Sequence, residues 1–245
     1  YQNAFNIGVV FGQRSQLWWD IPLRESFSIL KKIYRVDDEN YQKRVKELMD
    51  SLSLTELLDT PVRKLSLGQR MRCELAASLV HNPPLLFLDE PTIGLDVVAK
   101  EKIREFLKYL NRNYGTTIIL TTHDMNDIEQ LCNRLIIIDK GKIIYDGSKD
   151  ELKKDFIHDK LIEVEFAGEF TSLSNLPELV LVNEFGPKKC FVFKKDKMNI
   201  SELIEKLVKD HSIKDLSVRD PSLEVIIKAI YEEGSSYLPR SVGSL

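Results

Sequence analysis

The sequence has no run of 18 apolar residues, so no segment of it reads as a membrane-spanning helix. Its three cysteines, Cys73, Cys132 and Cys190, are odd in number and widely spaced, which excludes a disulfide framework and a thiolate metal cluster. Basic charge is not in excess. Against 35 Lys and Arg stand 38 Asp and Glu, a net charge of −3, so no overall positive field draws this chain to nucleic acid. Residues 1–6 lack the basic-then-apolar order of a signal peptide. With no disulfide pattern, a reducing cytosol is the expected compartment. No internal repeat is visible. What the chain does have is 43% hydrophobic and 30% charged residues over 245 positions, which excludes a wholly disordered polypeptide and leaves room for one large domain, or for one medium and one small domain.

Apolar periodicity sets the expected elements. Ile7–Phe11 reads as a buried strand, and an element beside it is expected upstream of residue 1. Leu23, Phe27, Leu30 and Tyr34 fall on one helical stripe, and Tyr41, Val45, Leu48, Met49 and Leu52 on a second, with Asp37-Asp38 as the turn between them. A third helix covers about 67–81. Leu85–Leu88 and Thr117–Thr121 are short continuous apolar runs of the kind found in strands buried on both faces. A helix carrying Ile103, Phe106, Leu107 and Leu110 lies between them. Leu135–Ile138 and Ile143–Tyr145 form a hairpin across Lys140-Gly141. Strands alternating with helices predict an α/β fold with a parallel sheet. Beyond a charged helix or linker at 148–159, the strands alternate apolar and charged residues, at Leu161–Phe166 and Lys189–Phe193. Helices follow at 201–209 and from Asp220-Pro221, with Pro221 as the first helical residue. Residues 160–233 are therefore expected to form a small α+β domain, ferredoxin-like in type. Residues 234–245 read as a loose tail.

The chemistry concentrates at Leu85-Leu86-Phe87-Leu88-Asp89-Glu90-Pro91. Two carboxylates at the C-terminal end of a buried strand stand where ligands of open parallel sheets bind. One can hold Mg²⁺, which accepts few protein oxygens, and the other can orient or deprotonate a water. Taken alone, the pair is equally consistent with a solvated strand end. Leu65-Ser66-Leu67-Gly68-Gln69, at a helix start, has the free N–H groups and hydroxyl of an anion site, although an ordinary N-cap serine has the same features. Thr121-Thr122-His123-Asp124 ends the next strand, where a histidine can donate to a phosphate oxygen.

In this order and spacing the segments resemble the nucleotide-binding subunits of ATP-binding cassette (ABC) transporters. Ser66, Gly68 and Gln69 fall in a likeness of the family signature, with Leu67 where Gly is usual. Asp89 and Glu90 fall in the Walker B strand, Ile93–Asp96 in the D-loop and His123 at the switch histidine. Gln13 resembles the Q-loop glutamine, displaced by Gly12, with Gln16 as the second candidate. The stretches Leu58–Arg72 and Ile93–Lys100 are similar to the daunorubicin- and viologen-type exporter ATPases, a group that tends to bear a small C-terminal domain. The resemblance covers residues 7–150.

The P-loop, Gly-x-x-x-x-Gly-Lys-[Ser/Thr], is absent, because no two of the eleven glycines stand five apart. The expected organisation is an ABC ATPase domain at 1–150 lacking its N-terminal Walker A part, with a helical subdomain at about 20–82, then the 160–233 domain. The chain as it stands is expected to be inactive. For the complete protein the resemblance implies ATP and Mg²⁺ as cofactors. Asp89 and Gln13 would attend the metal, Glu90 act as base, His123 and Gln13 attend the γ-phosphate and water, and Asp96 align a dimer. Ser66, Gly68 and Gln69 would face the nucleotide held by the second subunit. It also implies a membrane permease as partner, a homo- or heterodimer, no nucleic acid, and a place on the inner face of the cell membrane. Trp18 and Trp19 either line the permease groove or pack the helical subdomain. Two other readings remain open at this point: a soluble ABC ATPase unconnected with transport, and an inert fragment acting as an interaction module.

Overall fold

In the computed structural model, residues 2–12, 14–155, 159–168, 176, 179–194 and 199–233 are described. The expectations for Gln13 and for the 234–245 tail lie outside them. The chain divides into two compact units, Tyr1–Leu131 and Cys132–Leu245.

The first unit is built on a three-stranded parallel sheet of β1 (Ile7–Phe11), β2 (Leu85–Asp89) and β3 (Thr117–Thr121), in that order. Between β1 and β2 lie α1 (Leu23–Ile33), α2 (Asp38–Leu52) and α3 (Leu67–Ser78); α4 (Val97–Tyr114) joins β2 to β3, and α5 (Met125–Leu131) follows. The helices begin where the sequence supplies caps. Asp37 accepts from the Asn40 N–H at 2.9 Å to start α2, which is why the Asp-Asp pair reads correctly as a turn. The expected third helix ends early, at Ser78, ahead of left-handed Asn82 and the Pro83-Pro84 pair that a helix cannot pass. Leu86 and Leu88 of β2 pack into one core with Phe27, Leu48, Leu75 and Ile103, all at most 2% exposed. On the other face of the sheet Phe87 and Ile119 are exposed.

The register places the site. Phe11, Asp89 and Thr121 are partners in one row across the three strands. The loops that follow them therefore leave the sheet side by side, and residues far apart in sequence become neighbours.

The second unit starts with the antiparallel hairpin β4 (Arg134–Asp139) and β5 (Lys142–Ser148), closed by a bidentate Arg134–Asp146 pair at 2.7 and 2.8 Å. After α6 (Lys149–Asp155) come β6 (Asp159–Phe166), β7 (Val180–Phe185), β8 (Lys188–Lys194), α7 (Ile200–Asp210), β9 (Ile213–Arg219) and α8 (Leu223–Glu233). The four strands form an antiparallel sheet in the order β7-β8-β6-β9. Leu203 and Leu207 of α7 pack on Ile162, Val164 and Phe193, whereas Val225 of α8 packs with Leu161 and Val192, on the opposite face. A ferredoxin-like sheet shares this strand order but carries its helices on one face, so α8 departs from that expectation. Pro221 also lies outside α8 rather than at its first position. Ser222 acts as the cap instead, its Oγ accepting from the Val225 N–H at 3.5 Å.

The division falls ahead of the expected linker at 148–159. The physical reason is where the hairpin spends its bonds. Its backbone ladder closes on itself, the Lys149 N–H returns to Asn133 O at 2.9 Å, and Tyr231 Oη donates to Ile138 O at 3.2 Å. Among the described residues no helix is long and apolar enough to cross a membrane.

A candidate nucleotide site at the strand ends

Asp89 is the last residue of β2. Thr121, its partner in the row, donates from Oγ1 to Asp89 Oδ1 at 2.6 Å. Glu90 turns out of the strand with φ of 49°, a left-handed conformation that costs a non-glycine residue about 1 kcal/mol or more. The turn is held because the Glu90 N–H bonds to Thr121 O at 3.1 Å and to Thr121 Oγ1 at 3.3 Å. It carries the Glu90 carboxylate to His123, whose Nδ1 lies 2.9 Å from Oε1. An open cleft of about 320 Å³ faces the two carboxylates, lined by Phe11, Gly12, Arg14, Asp89, Glu90 and Ile93. Gly12 is required here by close approach. A Cβ at that position would stand 2.7 Å from Asp89 O, which no real side chain tolerates.

Glu90 raises the proton affinity of His123, first through its hydrogen bond and then through its charge; Asp124 adds to this, while desolvation and the charge of Lys100 oppose it. With Nδ1 donating to Glu90, the protonated ring leaves Nε2–H free as a donor. A folded-state pKa above the unfolded one makes the contact stabilising below the unfolded pKa. The stabilisation is lost as pH rises through the folded value. His123 is therefore expected to titrate above 6.5 in an NMR pH series, and Glu90→Gln to bring the midpoint back down. A wild-type midpoint at or below 6.5 would contradict this geometry.

The other expected residues gather at the start of α3. Ser66 and Gln69 form a reciprocal capping box: Ser66 Oγ accepts from the Gln69 N–H at 3.2 Å, and Gln69 Oε1 accepts from the Ser66 N–H at 2.8 Å. A Cβ on Gly68 would lie 3.3 Å from Ala99 Cβ, and one on Gly94 would lie 3.0 Å from Leu67. The α3 start thus packs on the turn before α4. Gly94 has φ of +69°, where a side chain would be strained. Asp96 caps α4, its Oδ1 accepting from the Ala99 N–H at 2.8 Å. The structure therefore brings Asp89, Glu90 and His123 together, and separately groups Ser66, Gly68 and Gln69 with the turn that ends in Asp96. Gln16 is committed elsewhere. Its Nε2 donates to Val9 O at 3.3 Å and Glu74 O at 3.1 Å.

The sequence reading does not single out several of the contributors. Thr121 supports both carboxylate positions. Glu74 is buried on α3, where burial pushes its carboxyl pKa up, and it accepts from Ser15 Oγ and from the Gln16 N–H, tying the loop after β1 to α3. Arg14 lines the cleft beside the two carboxylates. A glutamate amid Cys73, Leu75 and Ala76 was a hint, since an acid on an apolar face needs a partner.

Among the described residues no group of three or more His, Cys, Asp or Glu could cage a metal ion.

A family described as "AAA domain, putative AbiEii toxin, Type IV TA system" matches residues 13–127. The linearmycin resistance ATP-binding protein of Bacillus subtilis (strain 168) is 30% identical over 226 residues, which cover 89% of this chain and 72% of that protein. A daunorubicin resistance ATP-binding protein of Streptomyces coeruleorubidus is 32% identical over 161 residues, which cover 66% of this chain and 50% of the relative. The chain thus spans from half to under three quarters of the length of these relatives. Among solved structures, the dimeric post-hydrolysis state of an ATP-binding cassette bound to ADP and Pi superposes with a TM-score of 0.53 at 30% identity. The match covers 60% of this chain and 64% of that one. The parallel sheet, the paired carboxylates at its strand ends, one of them bonded to a histidine, and these relatives agree: the chain belongs to the family of ATP-binding subunits of ABC transporters.

Proposed function

We propose that the protein is the ATP-hydrolysing subunit of an ABC exporter, working as a dimer beneath a membrane permease at the inner face of the cell membrane. The observation that carries the hydrolytic part is the Glu90–His123 contact beside Asp89, which sets a base and a hydrogen-bond donor at one cleft. The proposal concerns the protein with a P-loop, which these 245 residues do not contain. Bound Mg²⁺ would neutralise phosphate charge, with Asp89 and Gln13 as its protein attendants. Glu90 orients the attacking water and takes its proton. His123 donates from Nε2 to a γ-phosphate oxygen, and Gln13 senses Mg²⁺ and the attacking water.

Ser66, Gly68 and Gln69 of one subunit would face the nucleotide of the other, with Asp96 aligning the two halves. The capping box leaves this open, because Ser66 Oγ accepts from Gln69 and still has its own proton to donate. Export is favoured by the resistance functions in the relatives' names. Trp18 and Trp19, 39% and 51% exposed, offer aromatic anchors to a permease helix, Trp19 being backed by Arg70.

Ser66→Asp tests the dimer arrangement. Aspartate caps a helix as well as serine, so the fold and Tm should hold. Its charge would repel a γ-phosphate across the interface. In size exclusion with Mg²⁺ and a non-hydrolysable ATP analogue, the P-loop-bearing protein is expected to elute as a dimer and Ser66→Asp as a monomer. Equal dimerisation of the two would overturn the arrangement.

A further inference from the structure

Asp127, in the first turn of α5, is 0% exposed, and no step described above uses it. Its Oδ2 accepts from Thr92 Oγ1 at 2.5 Å and from Thr122 Oγ1 at 3.2 Å, and its Oδ1 accepts from Arg104 Nε at 2.6 Å. Arg104, itself 5% exposed, supplies the compensating charge from α4. Thr92 lies two residues after Glu90, and Thr122 immediately precedes His123. One carboxylate therefore joins the segment that carries the base to the segment that carries the histidine. We infer that Asp127 is a positioning residue that keeps His123 in register with Glu90, an inference that rests on the reading of those two as the reacting pair.

The physical argument turns on His123. Its side chain is 73% exposed, yet its ring stands 2.9 Å from a particular carboxylate oxygen. An exposed side chain pays rotamer entropy to hold one geometry, so such a contact is reliable only if the backbone beneath it is fixed. Both neighbours of His123 are fixed. Thr122 is bonded to Asp127, and Asp124 is bonded to Lys100 at 2.6 Å, with Arg104 at 3.5 Å. On the opposite side the Glu90 N–H is held by Thr121, while Thr92 is held by Asp127. A buried ion pair serving only to join α4 to α5 would need Arg104 alone. The two threonines direct the carboxylate to the loops instead, and a fully bonded buried network of this kind rigidifies what it touches.

The test uses imidazole NMR on the 245-residue chain, with His81 as internal reference. His81 belongs to the same unit, and its Nε2 faces Ile7 O at 3.1 Å, away from the cleft. Glu90→Gln defines the ring shifts of His123 without its charged partner. Thr92→Val keeps the shape but deletes one bond to Asp127, and Asp127→Asn disturbs all three. If Asp127 positions the loop, both variants move the His123 ring signals most of the way to their Glu90→Gln values while the His81 signals stay in place. If Asp127→Asn fails to fold, Thr92→Val decides alone. His123 signals unmoved in Thr92→Val would overturn the inference. So would His81 and His123 moving together, which marks general loosening, or Glu90→Gln leaving His123 where it was. Turnover in the P-loop-bearing protein that is indifferent to Glu90→Gln would instead defeat the functional reading and leave the NMR result standing.

Discussion

Glu90→Gln, in the protein carrying its P-loop, is expected to bind ATP normally and to release phosphate about 10²–10⁴-fold more slowly. That is the ordinary worth of a positioned general base, roughly 3–5 kcal/mol of barrier. Glutamine matches glutamate in size and can occupy the same left-handed turn, which is held by main-chain bonds to Thr121 rather than by the carboxylate. It cannot take a proton. It also withdraws the charge that favours protonated His123, so the Nε2 donor weakens at the same time. Removing a negative charge near the γ-phosphate favours an ATP-loaded dimer, visible on size exclusion. Asp89→Asn should behave differently. Its Oδ1 still accepts from Thr121, but the metal loses its one protein charge, so nucleotide loading falls together with turnover. Isothermal titration with Mg-ATP and a phosphate-release assay separate the two. Equal loss of binding in both variants, or wild-type turnover in Glu90→Gln, would show the roles of the two carboxylates to be wrongly divided.

The 245 residues by themselves are expected to release no phosphate above background with Mg²⁺ and millimolar ATP. The cleft supplies two carboxylates and Arg14, with His123 bonded to one of the carboxylates, but not the run of backbone N–H groups and the lysine that cradle β- and γ-phosphates. Without that cradle, the negative charge of Asp89 and Glu90 repels the ligand they are meant to process. Phosphate release that Glu90→Gln abolishes would sink this expectation, because it would place working chemistry in the cleft without a P-loop. Release that survives Glu90→Gln would mark a contaminant.

Local chemistry made the elements legible. The stripes through Leu23 and Leu48 became α1 and α2, the runs at Leu85 and Thr117 became β2 and β3, and Asp37, Ser66 and Asp96 took the caps their types favour. These depend on residues three or four apart, and such spacings are written directly in a sequence. The carboxylate pair and the histidine were legible for the same reason, as polar residues ending apolar runs. What only the tertiary structure decided is who meets whom. The parallel register sets Thr121 against Asp89 across 32 residues and His123 against Glu90 across 33. Nothing local in Thr121 distinguishes it from Thr117. Asp127 has no periodicity or motif that marks it, and only packing shows it buried, joined to Thr92 across 35 residues and to Arg104 across 23. The hairpin at 134–148 was foreseen as a hairpin but assigned to the first domain. A hairpin satisfies its own backbone, so its pattern does not say which body it joins; bonds such as that from Tyr231 decide it. Periodicity is a property of neighbours in the chain, whereas register and burial depend on how distant segments share one core, and a single sequence carries no direct trace of that.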